Sequence, residues 1–172
     1  VVEAGTGIGK SLAYILGSIP LALANKKKVC IATATVALQE QLLHKDLPFF
    51  LAQSELNFTF GLVKGRQRYV CLSKLQLLTG PDDGTQMAMW QTKPDNSQIA
   101  LLQSLFKHYH EGKWNGERDT LTEQLPDHLW QQIACDKHSC HKQLASHKHC
   151  PFHKAREDID TWDVLIANHS LL

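Results

Sequence analysis

Residues 3–11 read Glu3-Ala4-Gly5-Thr6-Gly7-Ile8-Gly9-Lys10-Ser11, and this stretch decides the fold. Against the phosphate-loop pattern G-x-x-x-x-G-K-[ST] it matches at Gly9, Lys10 and Ser11, with Ala4 in the slot of the first glycine. Small residues let successive backbone N–H groups curl around a phosphate chain, and a following helix aims its positive end at the same anion. Gly5, Thr6, Gly7 and Gly9 would form the cradle, Lys10 would reach the β- and γ-phosphates, and Ser11 would bind Mg²⁺. Leu12, Ile15, Leu16 and Ile19 then recur at helical spacing, with Pro20 expected to bend or end the helix. A flexible glycine-rich tail gives no reason for that amphipathic helix. Ala4 still permits close approach but narrows the backbone angles available.

Further along the chain, Lys28–Ala32 is a short apolar run suited to a buried parallel strand, which places Cys30 in the core. Thr33–Leu43 turns into a helix with Thr35 as its N-cap, and Phe58–Val63 is a second strand. Asp163–Ala167 returns to the strand style, followed by Asn168, His169 and the apolar start of a helix. The expected class is therefore α/β, with an insertion of about 95 residues. The boundaries follow the change in character: 1–63 and 161–172 for the frame, 64–160 for the insertion. Within the insertion, Ile99, Leu102, Leu105, Phe106 and Tyr109 mark a helix, and Pro126–Ile133 reads as a shorter one. Gly80–Asp95 and Gly112–Glu123 read as loops.

The chain has 172 residues, 43% hydrophobic and 20% charged, which suits a folded chain and excludes a disordered one. No apolar run approaches the roughly 18 residues of a membrane span, and no basic-then-apolar leader opens the chain. A cytoplasmic protein is expected. The net charge of +1 says nothing about partners. A nucleotide hydrolase also needs an apolar strand ending in Asp or Asp-Glu to hold Mg²⁺ and orient water. Asp82-Asp83 lies between Pro81 and Gly84 in a turn, and Asp163 precedes its strand rather than closing it. The expectation is an N-terminal part of a larger motor, inactive as an isolated piece.

Cys71, Cys135, Cys140 and Cys150 all fall in the insertion, spaced Cys-x63-Cys-x4-Cys-x9-Cys. Four thiolates meet the ligand demand of an iron–sulfur cluster. Tetrahedral zinc accepts the same set, and His138, His141, His147, His149 and His153 offer mixed alternatives. Small buried hydrophobes are the third reading. Charge follows the cysteines. Lys64, Arg66, Arg68 and Lys74 give +4 between residues 64 and 74, and Lys137, Lys142, Lys148, Lys154 and Arg156 give +5 between 137 and 156, with no acid in either block. The stretch 75–136 sums to −5. A metal centre joining the cysteines would join the two basic blocks into one phosphate-neutralising surface, where Tyr69 and Phe152 could stack on bases.

Taken in order, these segments resemble the DinG/XPD-type iron–sulfur DNA helicases of superfamily 2, the bacterial DinG-like members most closely. Residues 3–11 resemble helicase motif I and Thr33–Leu43 motif Ia. Lys64-Gly-Arg-Gln-Arg-Tyr-Val-Cys71 resembles the segment carrying the first cluster cysteine, and Cys135-x4-Cys140 with Cys150-Pro151-Phe152 the other three. Val164–Leu172 resembles the return to the motor core. The gap between Cys140 and Cys150 is longer than that pattern leads one to expect, which leaves room for a histidine in the ligand set. The resemblance implies a RecA-like motor that binds ATP and Mg²⁺, moves 5′ to 3′ on single-stranded DNA and opens forked duplexes in repair or replication, alongside proteins of those processes. It further implies a [4Fe–4S] cluster on Cys71, Cys135, Cys140 and Cys150, and DNA contacts from Thr33, Thr35, Lys64, Arg66, Arg68 and Tyr69, with Gln39, Asn168 and His169 as further candidates. The rival reading is a zinc-stabilised nucleic-acid-binding module on a nucleotide-binding domain that does not translocate.

Overall fold

The computed structural model describes residues 9–80, 95–137 and 149–171. The chain forms two units: one from residues up to Lys64 together with Glu157 onward, the other Gly65–Arg156.

The first unit carries a three-stranded parallel sheet, consistent with an α/β class. Its strands are β1 (Val29–Thr33), β2 (Phe60–Val63) and β3 (Val164–Asn168), ordered β1-β3-β2. β3 is last in the chain and central in the sheet, pairing Val29 with Val164 on one side and Phe60 with Val164 on the other. Its Val164, Ile166 and Ala167 are buried. Thr59 fixes the register where β2 and β3 begin, its backbone N–H donating to Asp163 Oδ2 at 2.8 Å. Helix α1 (Lys10–Ala24) packs Ile15 and Ile19 into a core with Ile31, Leu42, Leu47, Phe50, Phe58, Val164 and Ile166. Each such aliphatic side chain contributes about 1.5–3 kcal/mol when fully buried. Gly61 is required by a close approach: a Cβ there would lie 2.4 Å from the Trp162 ring.

Two expectations are corrected. Pro20 does not end α1, which continues to Ala24. The carbonyl that loses its donor to the proline belongs to Leu16, whose side chain stands exposed, so water can take the acceptor. The helix stops instead at Asn25, whose side-chain amide donates to Leu21 O at 2.7 Å. Cys30 is not core but exposed. Side chains alternate along β1, so Ile31 and Thr33 face the core while Cys30 points to the opposite face of the sheet.

After β1, α2 (Val36–Gln41) starts at Thr35, whose hydroxyl accepts from Leu38 N at 3.3 Å. A π-helical turn, Leu42–Asp46, then leads into α3 (Leu47–Gln53). Pro48 in the first turn of α3 lacks an N–H and crowds the carbonyl four residues back, a sufficient cause for the wider turn. The buried Asp46 accepts from Gln41 Nε2 at 2.9 Å.

The second unit is mostly helical, with α4 (Leu72–Thr79), α5 (Asn96–His110) and α6 (Asp127–Ile133). Its core holds Val70, Leu75, Leu78, Leu102, Leu105, Trp114, Trp130 and Ile133. Both buried indoles satisfy their N–H groups on backbone, Trp130 on Gln67 O at 2.8 Å and Trp114 on Glu117 O at 2.9 Å. A capping box starts α5: Asp95 accepts from Gln98 N at 2.8 Å while the Gln98 side chain accepts from Asp95 N at 3.1 Å. Helix α7 (Pro151–Thr161) carries the chain from the second unit back to the first. The expected loop Gly80–Asp95 lies outside the described residues except at its two ends; Gly112–Glu123 contains a 3₁₀ turn at Arg118–Thr120.

No helix among the described residues is long and apolar enough to cross a membrane.

Candidate functional site

The phosphate-loop end of α1 has the backbone that anion binding needs. Gly9 occupies the N-cap in the left-handed region (φ +81) and has no side chain of its own to cap the helix, whose positive end begins at Lys10. Lys10 is exposed and Ser11 half-buried. These three residues fit a nucleotide phosphate; Gly5, Thr6 and Gly7 lie outside the described residues. Thr33 and Asn168 pair at the carboxyl ends of β1 and β3. Thr33 is buried and its hydroxyl donates to Thr35 O at 3.2 Å, while Asn168 accepts from Ser170 N at 3.0 Å and so caps the final 3₁₀ turn. Thr35 is exposed beyond its capping bond; Gln39 is buried; Lys64 is half-buried.

In the second unit, three of the four candidate cysteines meet. Residues 69–71 and 133–135 run antiparallel, with Val70 opposite Ala134. Cys71 N donates to Ile133 O at 2.7 Å and Cys135 N to Tyr69 O at 2.9 Å. Two backbone hydrogen bonds therefore close the 63-residue gap and set the two cysteines side by side. Cys150 reaches the same place through Pro151, which seats on Gly116, and through Tyr109, whose hydroxyl donates to His149 O. Gly116 also supplies the carbonyl that accepts from Val70 N at 2.9 Å.

Cys71, Cys135 and Cys150 are 5%, 0% and 5% exposed, in one cluster with Tyr69 and Phe152. The Cys135 thiol donates to Val70 O at 3.3 Å. A hydrogen bond from Cys135 pulls the Cys71 thiol down to about 6, helped by the backbone N–H and charge of Lys74. The same partner pulls Cys150 down to about 5, helped by the N–H groups of His153 and Phe152. Cys135 is pushed up, because its hydrogen bonds to both sulfurs and its burial favour the protonated form.

Among the described residues no group of three Cys, His, Asp or Glu side chains is arranged to hold a metal ion, and Cys140, His138, His141 and His147 lie outside them. A single zinc ion requires every sulfur about 2.3 Å from one point. An iron–sulfur cluster instead takes its cysteine thiolates on separate irons. The donor chemistry of Cys71, Cys135 and Cys150 fits such a group.

The basic residues beside the cysteines are largely paired. Arg68 forms an ion pair with Asp119, Lys74 with Asp136 and Arg118 with Asp127. Burial and the neighbouring charge of Arg118 lower the pKa of Arg68. Arg68, Lys74, Arg118 and Trp130 line a cavity of about 400 Å³ that also reaches Cys135. The acidic stretch thus neutralises much of the first basic block, which sequence reasoning missed because Asp119 and Asp136 are distant along the chain. Tyr69 and Phe152 are buried with ring centroids 5.8 Å apart, so their visible role is packing rather than offering faces to bases. Arg66 donates to Asp136 O at 3.1 Å and sits 4.8 Å over the Phe152 ring.

No family model matches the sequence. Curated relatives do. The chain is 54% identical over its full length to an ATP-dependent DNA helicase DinG of Photobacterium profundum, covering 25% of that protein. It is 35% identical over 180 residues to the DinG helicase of Escherichia coli and 34% over 177 residues to that of Salmonella typhimurium, in each case covering 99% of this chain and 25% of the relative. By sequence the chain is similar to the DinG helicases along its whole length, which spans about a quarter of each of them.

Proposed function

We propose that this chain is the nucleotide-binding and cysteine-bearing part of an ATP-dependent DNA helicase with a RecA-like motor, interrupted at 64–160 by an iron–sulfur insertion. The observation that carries the reading is the gathering of Cys71, Cys135 and Cys150 in a chain that matches DinG helicases from end to end. Lys10 and Ser11, at the start of α1, would hold the ATP phosphates and Mg²⁺, with Gly5, Thr6, Gly7 and Gly9 around them. Cys71, Cys135, Cys140 and Cys150 would hold a [4Fe–4S] cluster, which when bound supplies a covalent cross-link. Hydrogen bonds and packing tie residues 69–71 to 133–135 and to Cys150. Thr35, Lys64 and Arg68 are the proposed contacts to single-stranded DNA, and 5′-to-3′ movement on forked substrates in repair or replication follows the same reading.

The test is Lys10→Ala in the intact protein. Removing the ammonium that meets the β- and γ-phosphates is expected to abolish ATP-driven unwinding of a forked duplex and to leave single-strand binding intact. Unwinding at the unmodified rate would refute the assignment.

A further inference from the structure

The cavity of about 400 Å³ lies wholly within the second unit, in the size range of ligand sites, about 300–1,000 Å³. Arg68, Lys74 and Arg118 line it with Asp136 as the one carboxylate of the wall. Each cation is held in place. Lys74 Nζ donates to Ala134 O at 3.1 Å, Arg118 sits 5.5 Å over the Trp130 ring, and Arg68 Nε donates to Asp119 Oδ2 at 3.3 Å. Burial and the nearby Arg118 charge both lower the pKa of Arg68, so like charges gather on this wall. Trp130 is buried and its N–H is spent on Gln67 O, which leaves no aromatic face for a base. The wall offers charge.

Of the three carboxylates that pair with these cations, only Asp136 belongs to the wall. The Asp127 side chain is 82% exposed and that of Arg118 26%, and an ion pair so open to water contributes little. A phosphate taken in the fork of a guanidinium makes stronger, charge-assisted hydrogen bonds and can displace such a partner. A DNA backbone brings one charge per nucleotide along an open path. Three fixed cations around one small cavity match a more concentrated anion. We infer that this cavity binds a pyrophosphate group, either as the free anion or as part of a nucleoside diphosphate, separately from the phosphate loop at Lys10. The inference goes beyond the helicase reading and needs neither the metal centre nor Lys10.

The experiment is calorimetric titration of inorganic pyrophosphate, and separately ADP, into the intact protein carrying Lys10→Ala, which weakens the phosphate loop. The same titrations are run with Arg118→Gln or Asp127→Asn added. One pyrophosphate per chain is expected to bind the Lys10→Ala protein. Arg118→Gln should weaken that binding about ten- to hundredfold. Asp127→Asn frees Arg118 from its competing carboxylate and should tighten it about two- to fivefold, a gain that a merely structural ion pair would not give. ADP responding in the same way to both variants would identify a nucleotide as the source, and pyrophosphate binding without ADP the free anion; both support the site. No pyrophosphate binding, or equal affinity in Arg118→Gln, would overturn the inference. So would equal weakening in both variants, which would assign the effect to the fold. Loss of single-stranded DNA affinity in Arg118→Gln without any pyrophosphate binding would give the cavity to backbone phosphate and overturn it too.

Discussion

Gly116 ties together the segments that deliver the cysteines, so Gly116→Ala is the sharpest structural perturbation. Its φ is +84, and an added Cβ would lie 2.5 Å from Pro151 Cγ, 2.7 Å from Pro151 Cβ and 3.0 Å from Tyr109 Cε2. Carbon atoms rest about 3.5–4.0 Å apart, so Pro151 would have to retreat by about 1 Å, taking Cys150 away from Cys135. A left-handed alanine costs about 1–2 kcal/mol, and overpacking a filled site about 1–3 kcal/mol more. The expected total is about 2–5 kcal/mol. Gly112→Ala is the control: φ is +70 there too, but nothing lies within 4 Å of the new Cβ, so only the backbone cost of about 1–2 kcal/mol applies. The assay is hydrogen exchange at the amides of Val70, Cys71 and Cys135 in the intact protein, alongside metal content. Gly116→Ala should speed exchange well beyond Gly112→Ala and lower metal loading, whereas Gly112→Ala should keep its metal. Equal exchange in the two variants, with full loading in both, would refute the role given to the Pro151 contact.

Two further outcomes are expected. Thr35→Ala should destabilise the start of α2 by about 1 kcal/mol, read as faster amide exchange at Leu38, and Thr35→Asp should restore it; failure of Asp to do so would count against capping. Hydrogen bonds from Ser97 Oγ and the Gln98 backbone hold the Asp95 carboxyl below its ordinary value of 3.8. Because the folded value is depressed, the cap contributes fully above the unfolded pKa and is lost as pH falls through the folded one. Amide protection at Ser97 and Gln98 should therefore decline on acidification below about pH 4 and be insensitive to pH in Asp95→Ala; identical profiles in the two proteins would remove the cap's role.

The strands were legible because each is a short apolar run between breakers, and Thr35 was legible as a cap because its position just before Val36 is a local signal. The place of β3 in the middle of the sheet was not, since it depends on pairing between residues more than 100 positions apart. Cys30 was misplaced for a related reason: an apolar run states that a strand is buried, not which of its alternate residues face the core. Pro20 was overread, because a proline whose freed carbonyl can meet water interrupts a helix less than one in a dry interior. At the cysteines, spacing and composition pointed to Cys71, Cys135, Cys140 and Cys150 as a group, of which Cys140 lies outside the described residues. The two backbone bonds between 69–71 and 133–135 that bring them together left no local trace, and neither did the ion pairs of Arg68 with Asp119 and Lys74 with Asp136.

The central claim is that sulfurs distant along the chain gather to hold one inorganic cluster. Iron, acid-labile sulfide and zinc measured together on the intact protein, purified without oxygen, test it most directly. The account predicts about four iron and about four sulfide per chain, lost when Cys71 or Cys135 is replaced by serine. One zinc per chain without sulfide, or full iron in the Cys135→Ser protein, would contradict it.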